Sequence, residues 1–297
     1  MFRNAFTLAF LAGLLLTGSA LASSGPSDYA ALPITSGVPS FTHIAIVVME
    51  NHSESAIMGN PAAPYINSLA SNYTYLDNYH AVSHPSLPNY LALTGGDTYG
   101  ITSDCTRCYV PARNVADLLP AAGISGTAYM ESMPQACFSG SSGEYAQKHN
   151  PFIYFDDVRT NPGRCSAVVP FTQLANDVAN NQLPAYMWIT PDSCSDMHDC
   201  SVATGDRWLA NNLGPLLSSP AFTQQNSLLA LVWDEDDGSG DNRVPLILVG
   251  PHVKRGYVSH TPANHYSLLR TIEAAWNLPA LTANDGNAQP ITDAFSS

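Results

Sequence analysis

Positive charge is scarce in this chain. Lys and Arg account for 11 of 297 residues, Asp and Glu for 24, and the formal net charge is −13. Nucleic-acid binding draws on a basic face that displaces phosphate counterions, so a general nucleic-acid binder is excluded. Adhesion to anionic membranes by charge is excluded on the same ground. Charge of either sign is sparse, at 12% of residues, so each cluster of carboxylates calls for a reason. Beyond the N-terminal stretch no run is long and apolar enough to span a bilayer, which leaves no integral membrane segment in the mature chain. There is no internal repeat, no low-complexity tract and nothing that reads as a domain linker. Hydrophobic residues make up 45% of the chain, enough to bury a core and too many for a disordered chain.

The N-terminus has the parts of a secretory signal peptide. Arg3 is a short positive region, Ala5 to Leu16 an apolar run too short for a membrane span, and Ala20-Leu21-Ala22 an A-x-A cleavage site. Residues 1–22 are therefore expected to be a leader and 23–40, rich in Ser, Gly and Pro, a flexible mature N-terminus. One domain is expected over 41–297, in a secreted or periplasmic protein. The six cysteines fit export. Cys105 and Cys108 have the C-x2-C spacing of a zinc knuckle or redox pair. The other cysteines do not repeat it and no thioredoxin-like context surrounds it, so structural disulfides are expected, with Cys194–Cys200 as a local loop.

From His43 onward apolar runs alternate with helical patterns. Strands are expected over 43–49, 126–131, 185–190, 227–233 and 244–249, and helices over 64–71, 86–94, 114–121, 171–180, 203–217 and 265–277. Apolar strands alternating with helices predict an α/β fold of three layers, a mostly parallel sheet with helices on both faces. Ligands bind such sheets at the carboxyl ends of the strands. There the chain sets Glu50-Asn51 after one strand, Asp192, Asp196, His198 and Asp199 after another, and Asp234-Glu235-Asp236-Asp237 after a third. Carboxylates so clustered repel unless a cation sits among them, and an oxygen-rich set suits Ca, Mg or Mn better than Zn. Ser86 falls at a helix start, the place of a capping serine or of a hydroxyl facing phosphate.

Six stretches then match a family in order: IVVMENHS (46–53), HPSLPNYLAL (84–93), YAQKHNPFIYF (145–155), DMHD (196–199), VWDEDDG (232–238) and NHYSLLRTIE (264–273). The chain resembles the phosphoesterase branch of the alkaline phosphatase superfamily, which holds phospholipases C and metal-dependent acid phosphatases. The resemblance implies an alkaline phosphatase-like fold and a secreted, metal-dependent acid phosphatase. Its substrates would be small phosphomonoesters or phospholipid headgroups, phosphoinositides such as phosphatidylinositol 3-phosphate included. It implies Glu50, Asn51, Asp236 and Asp237 as divalent-metal ligands and Ser86 as nucleophile. Asn89 would donate to the phosphate. Lys148, His149 and His198 would hold the phosphate and help the leaving oxygen depart, with a protonated His198 as general acid. Asp192 and His265 stand near the place of a second cation's ligands. The shared site also suits phospholipase C-type diester cleavage, and the acidic loops alone suit a calcium-stabilised binding protein with no activity.

Overall fold

The computed structural model describes residues 1–2 and 37–296. The leader expected over 1–22 and the flexible segment over 23–40 lie outside the described residues, apart from 1–2 and 37–40. The chain divides into two units, Met1–Ala30 and Ala31–Ser297, and the second carries every element below.

Its strands are β1 (His43–Met49), β2 (Thr74–Leu76), β3 (Tyr79–His80), β4 (Gly126–Met130), β5 (Val168–Pro170), β6 (Tyr186–Thr190), β7 (Ser227–Trp233), β8 (Leu246–Val249), β9 (Tyr257–Ser259) and β10 (Ala263–Asn264). Eight form one sheet in the order β5-β4-β6-β1-β7-β8-β2-β9, and β10 pairs with β3. All pairs from β5 to β7 are parallel, while β8 runs antiparallel to β7 and β2. The sheet is thus mostly parallel, as the pattern predicts. β1 and β7 lie at its centre and every residue of both is buried, which is why they read as unbroken apolar runs rather than alternating ones.

Helices cover the sheet. On the Trp188 face, that ring meets Phe152 edge-on and packs against Tyr90 of the helix Ser86–Gly95. This helix stops where Gly96 turns left-handed, at φ 76°. The helix Val202–Leu217 packs tightly on the loop that follows β6. A Cβ on Gly205 would fall 2.5 Å from Met197 Cγ and 2.8 Å from the Ser195 carbonyl, so only glycine admits the approach. All six cysteines pair, as Cys105–Cys108, Cys137–Cys165 and Cys194–Cys200. Among the described residues no helix is long and apolar enough to cross a membrane.

Buried acids also lie away from the strand ends. Glu273, in the helix His265–Ala275, is fully buried; one oxygen accepts from Arg270 at 3.0 Å and the other has no partner. Burial first, then the nearby Asp285, pushes its carboxyl up to about 9, against the pull of Arg270. The folded protein then keeps a proton that the unfolded chain has lost, so this group's stabilising contribution is complete below the ordinary carboxylate range. It is lost as pH climbs toward about 9. Glu273→Gln is expected to raise Tm by several degrees at pH 8 and to leave it unchanged near pH 4, as calorimetry across pH would show.

Candidate active site

Three strand ends meet at one edge, and backbone hydrogen bonds lock them together. The Glu50 N–H donates to the Asp196 carbonyl at 2.9 Å, and the Asp234 N–H to the Met49 carbonyl at 2.9 Å. Asn51, at φ 54°, turns its N–H onto Asp234 Oδ1 at 3.2 Å. Glu50, Asp196, Asp234 and Glu235 are all buried here. Burial pushes Glu50, Asp196 and Asp234 well above the ordinary carboxylate range, and neighbouring negative charge adds to it. Burial raises Glu235 as well, against the pull of His84. The Oδ2 atoms of Asp196 and Asp234 have no hydrogen-bond donor. Buried anionic oxygens without partners are costly, and a cation is the ordinary remedy.

Ser86 sits against this cluster. It is the first residue of its helix, and Pro85 holds the cap position with no side-chain bond of its own to offer. The hydroxyl lies 3.1 Å from Glu50 Oε2, 3.1 Å from Glu235 Oε1 and 3.4 Å from Lys148 Nζ. One hydroxyl proton cannot serve two carboxylates at once. Oxygens about 3 Å apart are, however, spaced as neighbouring ligands of one octahedral cation with bonds of about 2.1 Å. Tyr90 donates to Glu50 Oε1 at 2.5 Å, and His84 Nδ1 lies 2.5 Å from Glu235 Oε2.

The turn Gln147–His149 brings the basic groups. Lys148 Nζ donates to Asp104 Oδ2 at 3.1 Å and lies 3.1 Å from His198 Nε2. Burial alone would lower this ammonium, but Glu50 and Asp104 outweigh it and hold it above its usual value. Lysine has no acceptor, so His198 Nε2 is the acceptor and its Nδ1–H faces Asp199 at 2.7 Å. In this arrangement Nε2 faces the Lys148 ammonium as an acceptor. His149 is buried and stacked on Tyr90, with centroids 5.5 Å apart. Its nitrogens lie 3.2 Å from Glu50 Oε1 and 3.1 Å from Asp196 Oδ2, yet neither contact has hydrogen-bond alignment. Burial, then Lys148 and His198, holds this imidazole well below its usual value, so it is neutral, the form that binds metals. Glu50, His149 and His198 offer three ligand atoms within 4.8 Å of one another, a possible metal-binding triad.

Of the residues expected at the site, the structure brings together Glu50, Ser86, Lys148, His149 and His198, with the Asn51 backbone beside them. Three others fall elsewhere. Asn89 is buried and fully occupied: it accepts the N–H groups of Val82 and Ser83, both at 3.0 Å, and donates to the carbonyls of Ser83 at 2.9 Å and Pro85 at 3.2 Å. It shapes the turn before Ser86 and has no donor left for phosphate. Asp237 is exposed and bonds the N–H and hydroxyl of Ser239. Asp236 accepts the N–H groups of Gly238 at 2.7 Å and Asn242 at 3.0 Å, and its contact toward the site is His84 Nε2 at 3.2 Å. The acidic pair at this edge is Asp234 and Glu235, the two residues directly after β7, with Glu235 against the Ser86 hydroxyl. Met49 and Trp233 are register partners, so the next residues of the two strands are neighbours. That signal was present in the sequence. Asp104, near no other acid in the chain, gave no such signal.

The class is set by this sheet with a helix-start serine among strand-end carboxylates. It is an alkaline phosphatase-like fold. A solved protein in the alkaline phosphatase superfamily from Vibrio parahaemolyticus superposes with a TM-score of 0.60 at 14% identity, over 86% of this chain and 71% of that one. The chain belongs to the phosphoesterase family, whose model matches residues 59–279. It is 40% identical over 260 residues to a phosphatidylinositol-3-phosphatase of Mycobacterium tuberculosis, covering 87% of this chain and 84% of that protein. It is 36% identical over 262 residues to a probable acid phosphatase of Kluyveromyces lactis, covering 84% of this chain and 61% of that protein.

The orphaned oxygens of Asp196 and Asp234 and the convergence of Glu50, His149 and His198 fit a divalent cation at this edge, with Asp234 Oδ2 free to join its ligands. A cation that binds only the folded protein stabilises it by about 2.7 kcal/mol at a hundred times its Kd. Asp234→Asn is expected to raise Tm in EDTA, because a buried carboxyl becomes a neutral amide. The same variant should lose most of the Tm gain that millimolar Mn²⁺, Mg²⁺ or Ca²⁺ gives the wild type. A full gain in the variant would put Asp234 outside the ligand set.

Proposed function

We propose that the protein is a secreted or periplasmic, divalent-metal-dependent acid phosphatase that hydrolyses phosphomonoesters through Ser86. Phosphoinositides such as phosphatidylinositol 3-phosphate are among its proposed substrates, in line with its mycobacterial relative. The observation that carries the reading is the Ser86 hydroxyl. It caps nothing and stands 3.1 Å from two buried carboxylates and 3.4 Å from a lysine ammonium. A binding protein stabilised by calcium has no use for that combination. The three disulfides support export.

When bound, the cation supplies positive charge that favours the serine alkoxide and the phosphate oxygens. The chain's own residues do the rest. Ser86 passes its proton to a carboxylate beside it, Glu50 or Glu235, and attacks phosphorus in line; the bond to the leaving group breaks, the departing oxygen takes a proton from solvent to leave as the alcohol, and phosphoserine forms. Lys148 neutralises the equatorial oxygens, where most of the rate enhancement of phosphoryl transfer arises. His198 accepts from Lys148 and, with Asp104, fixes where that ammonium points. Water then attacks the phosphoserine, releasing phosphate and restoring the hydroxyl.

Turnover of p-nitrophenyl phosphate is expected to need a divalent cation and to stop in EDTA. Ser86→Ala should lower it by at least about 10³-fold with Tm little changed. Near-wild-type activity in Ser86→Ala would mean direct attack by water and would remove the nucleophile assignment. Faster cleavage of bis(p-nitrophenyl) phosphate or phosphatidylcholine than of the monoesters would move the protein to phospholipase C-type chemistry. No hydrolysis with any cation would support the binding-protein reading.

A further inference from the structure

The loop 104–108 belongs to none of the six family-like stretches, yet it grips both halves of the catalytic apparatus. Asp104 Oδ1 accepts the Leu87 N–H at 3.0 Å, a free donor in the first turn of the Ser86 helix. Its Oδ2 accepts from Lys148 Nζ at 3.1 Å. Two residues on, the Thr106 carbonyl accepts from Gln147 Nε2 at 2.9 Å, the residue beside Lys148 in the same turn. The Cys105–Cys108 disulfide closes a ring that holds Thr106 and begins at the residue directly after Asp104. One carboxylate therefore spans the nucleophile's helix and the lysine that faces the nucleophile, and its backbone is pinned directly beside it. A ring this small removes little entropy from the unfolded chain, so global stability gives no strong reason for the crosslink.

We propose that Asp104, held by the Cys105–Cys108 disulfide, is a positioning residue that sets the Lys148 ammonium against Ser86. This rests on the reading of Ser86 and Lys148 given above. Asp104 touches no reacting atom. It fixes the direction of the lysine from one side while His198 fixes it from the other. The disulfide belongs to the catalytic geometry in this view and not chiefly to the stability of the fold.

The test uses the full chain with Asp104→Asn, the Cys105→Ser/Cys108→Ser pair, and all three changes combined. Asparagine keeps an acceptor for the Leu87 N–H and removes the charge from Lys148. Asp104→Asn is expected to lower kcat by about 10-fold or more with KM and Tm close to wild type. The cysteine pair should lower kcat similarly, and the combined variant should fall no more than about twofold further, since both act on one element. Amide exchange of the 147–150 segment, read without substrate, should quicken in the cysteine pair. A purely structural loop predicts wild-type kcat in Asp104→Asn, with any loss elsewhere tracking Tm. That result, additive losses, or unchanged exchange would overturn the proposal. Ser86→Ala in the same series keeps the two readings apart. If it stays active, the nucleophile assignment fails, while the exchange measurement still decides whether the loop holds the lysine's turn.

Discussion

Four carboxylates share one desolvated space at the carboxyl edge of the sheet, and the surrounding structure is organised around that constraint. Like charges taken out of water raise one another's proton affinity, as Glu50, Asp196 and Asp234 show. Such a group persists only if rigid elements hold it and something compensates it. The rigidity comes from the central parallel pair β1 and β7, whose seven-residue register places Glu50 and Asp234 side by side. Compensation by protein is partial: Tyr90, His84 and Ser86 each satisfy single oxygens, while Asp196 Oδ2 and Asp234 Oδ2 are left over. Leftover buried acceptors beside a neutral imidazole are a binding site that already bears the cost of desolvation.

The same constraint explains why the loops are stapled. Asp196 contributes from a loop, and a loop alone would swing a buried anion toward water. Here the Cys194–Cys200 bridge, the Gly205 contact beneath Met197 and the His198 N–H on Asp196 Oδ1 at 2.8 Å hold it in place. Lys148 is likewise gripped from two sides, because an ammonium on a flexible stem would otherwise pair with whichever carboxylate it met first.

The fold was legible wherever an element was long. Expected strands 43–49 and 227–233 coincide with β1 and β7, and the helix over 86–94 with Ser86–Gly95. Strands of two or three residues, such as β2, β5 and β9, are too short to show periodicity and form because a neighbour offers an edge. The antiparallel course of β8 depends on how the loop after β7 returns, which apolar patterning does not encode. In the site, strand ends were better guides than motif likeness. Likeness places the acidic pair at Asp236 and Asp237, whereas the end of β7 at Trp233 points to Asp234 and Glu235. Asn89 has the right helical spacing from Ser86 to face a phosphate, but spacing gives no information about competing backbone partners, and four of them claim it.

In the wider superfamily a second cation's ligands come roughly where this chain has Asp192 and His265. Both are spent on the protein itself. Asp192 accepts the N–H groups of Cys194 at 3.2 Å and Ser195 at 2.9 Å and the Ser132 hydroxyl at 2.7 Å. His265 donates from Nε2 to the Asp234 carbonyl at 2.6 Å, and its Nδ1 faces the Tyr79 hydroxyl at 2.8 Å. Burial lowers its imidazole to about 4, so at neutral pH it stays uncharged and keeps both bonds. A residue that would complete a second site instead orients the backbone of Asp234, a proposed ligand of the first. The orphaned atoms left at this edge are those of His149, Asp196 and Asp234, gathered around Glu50 and flanked by Lys148.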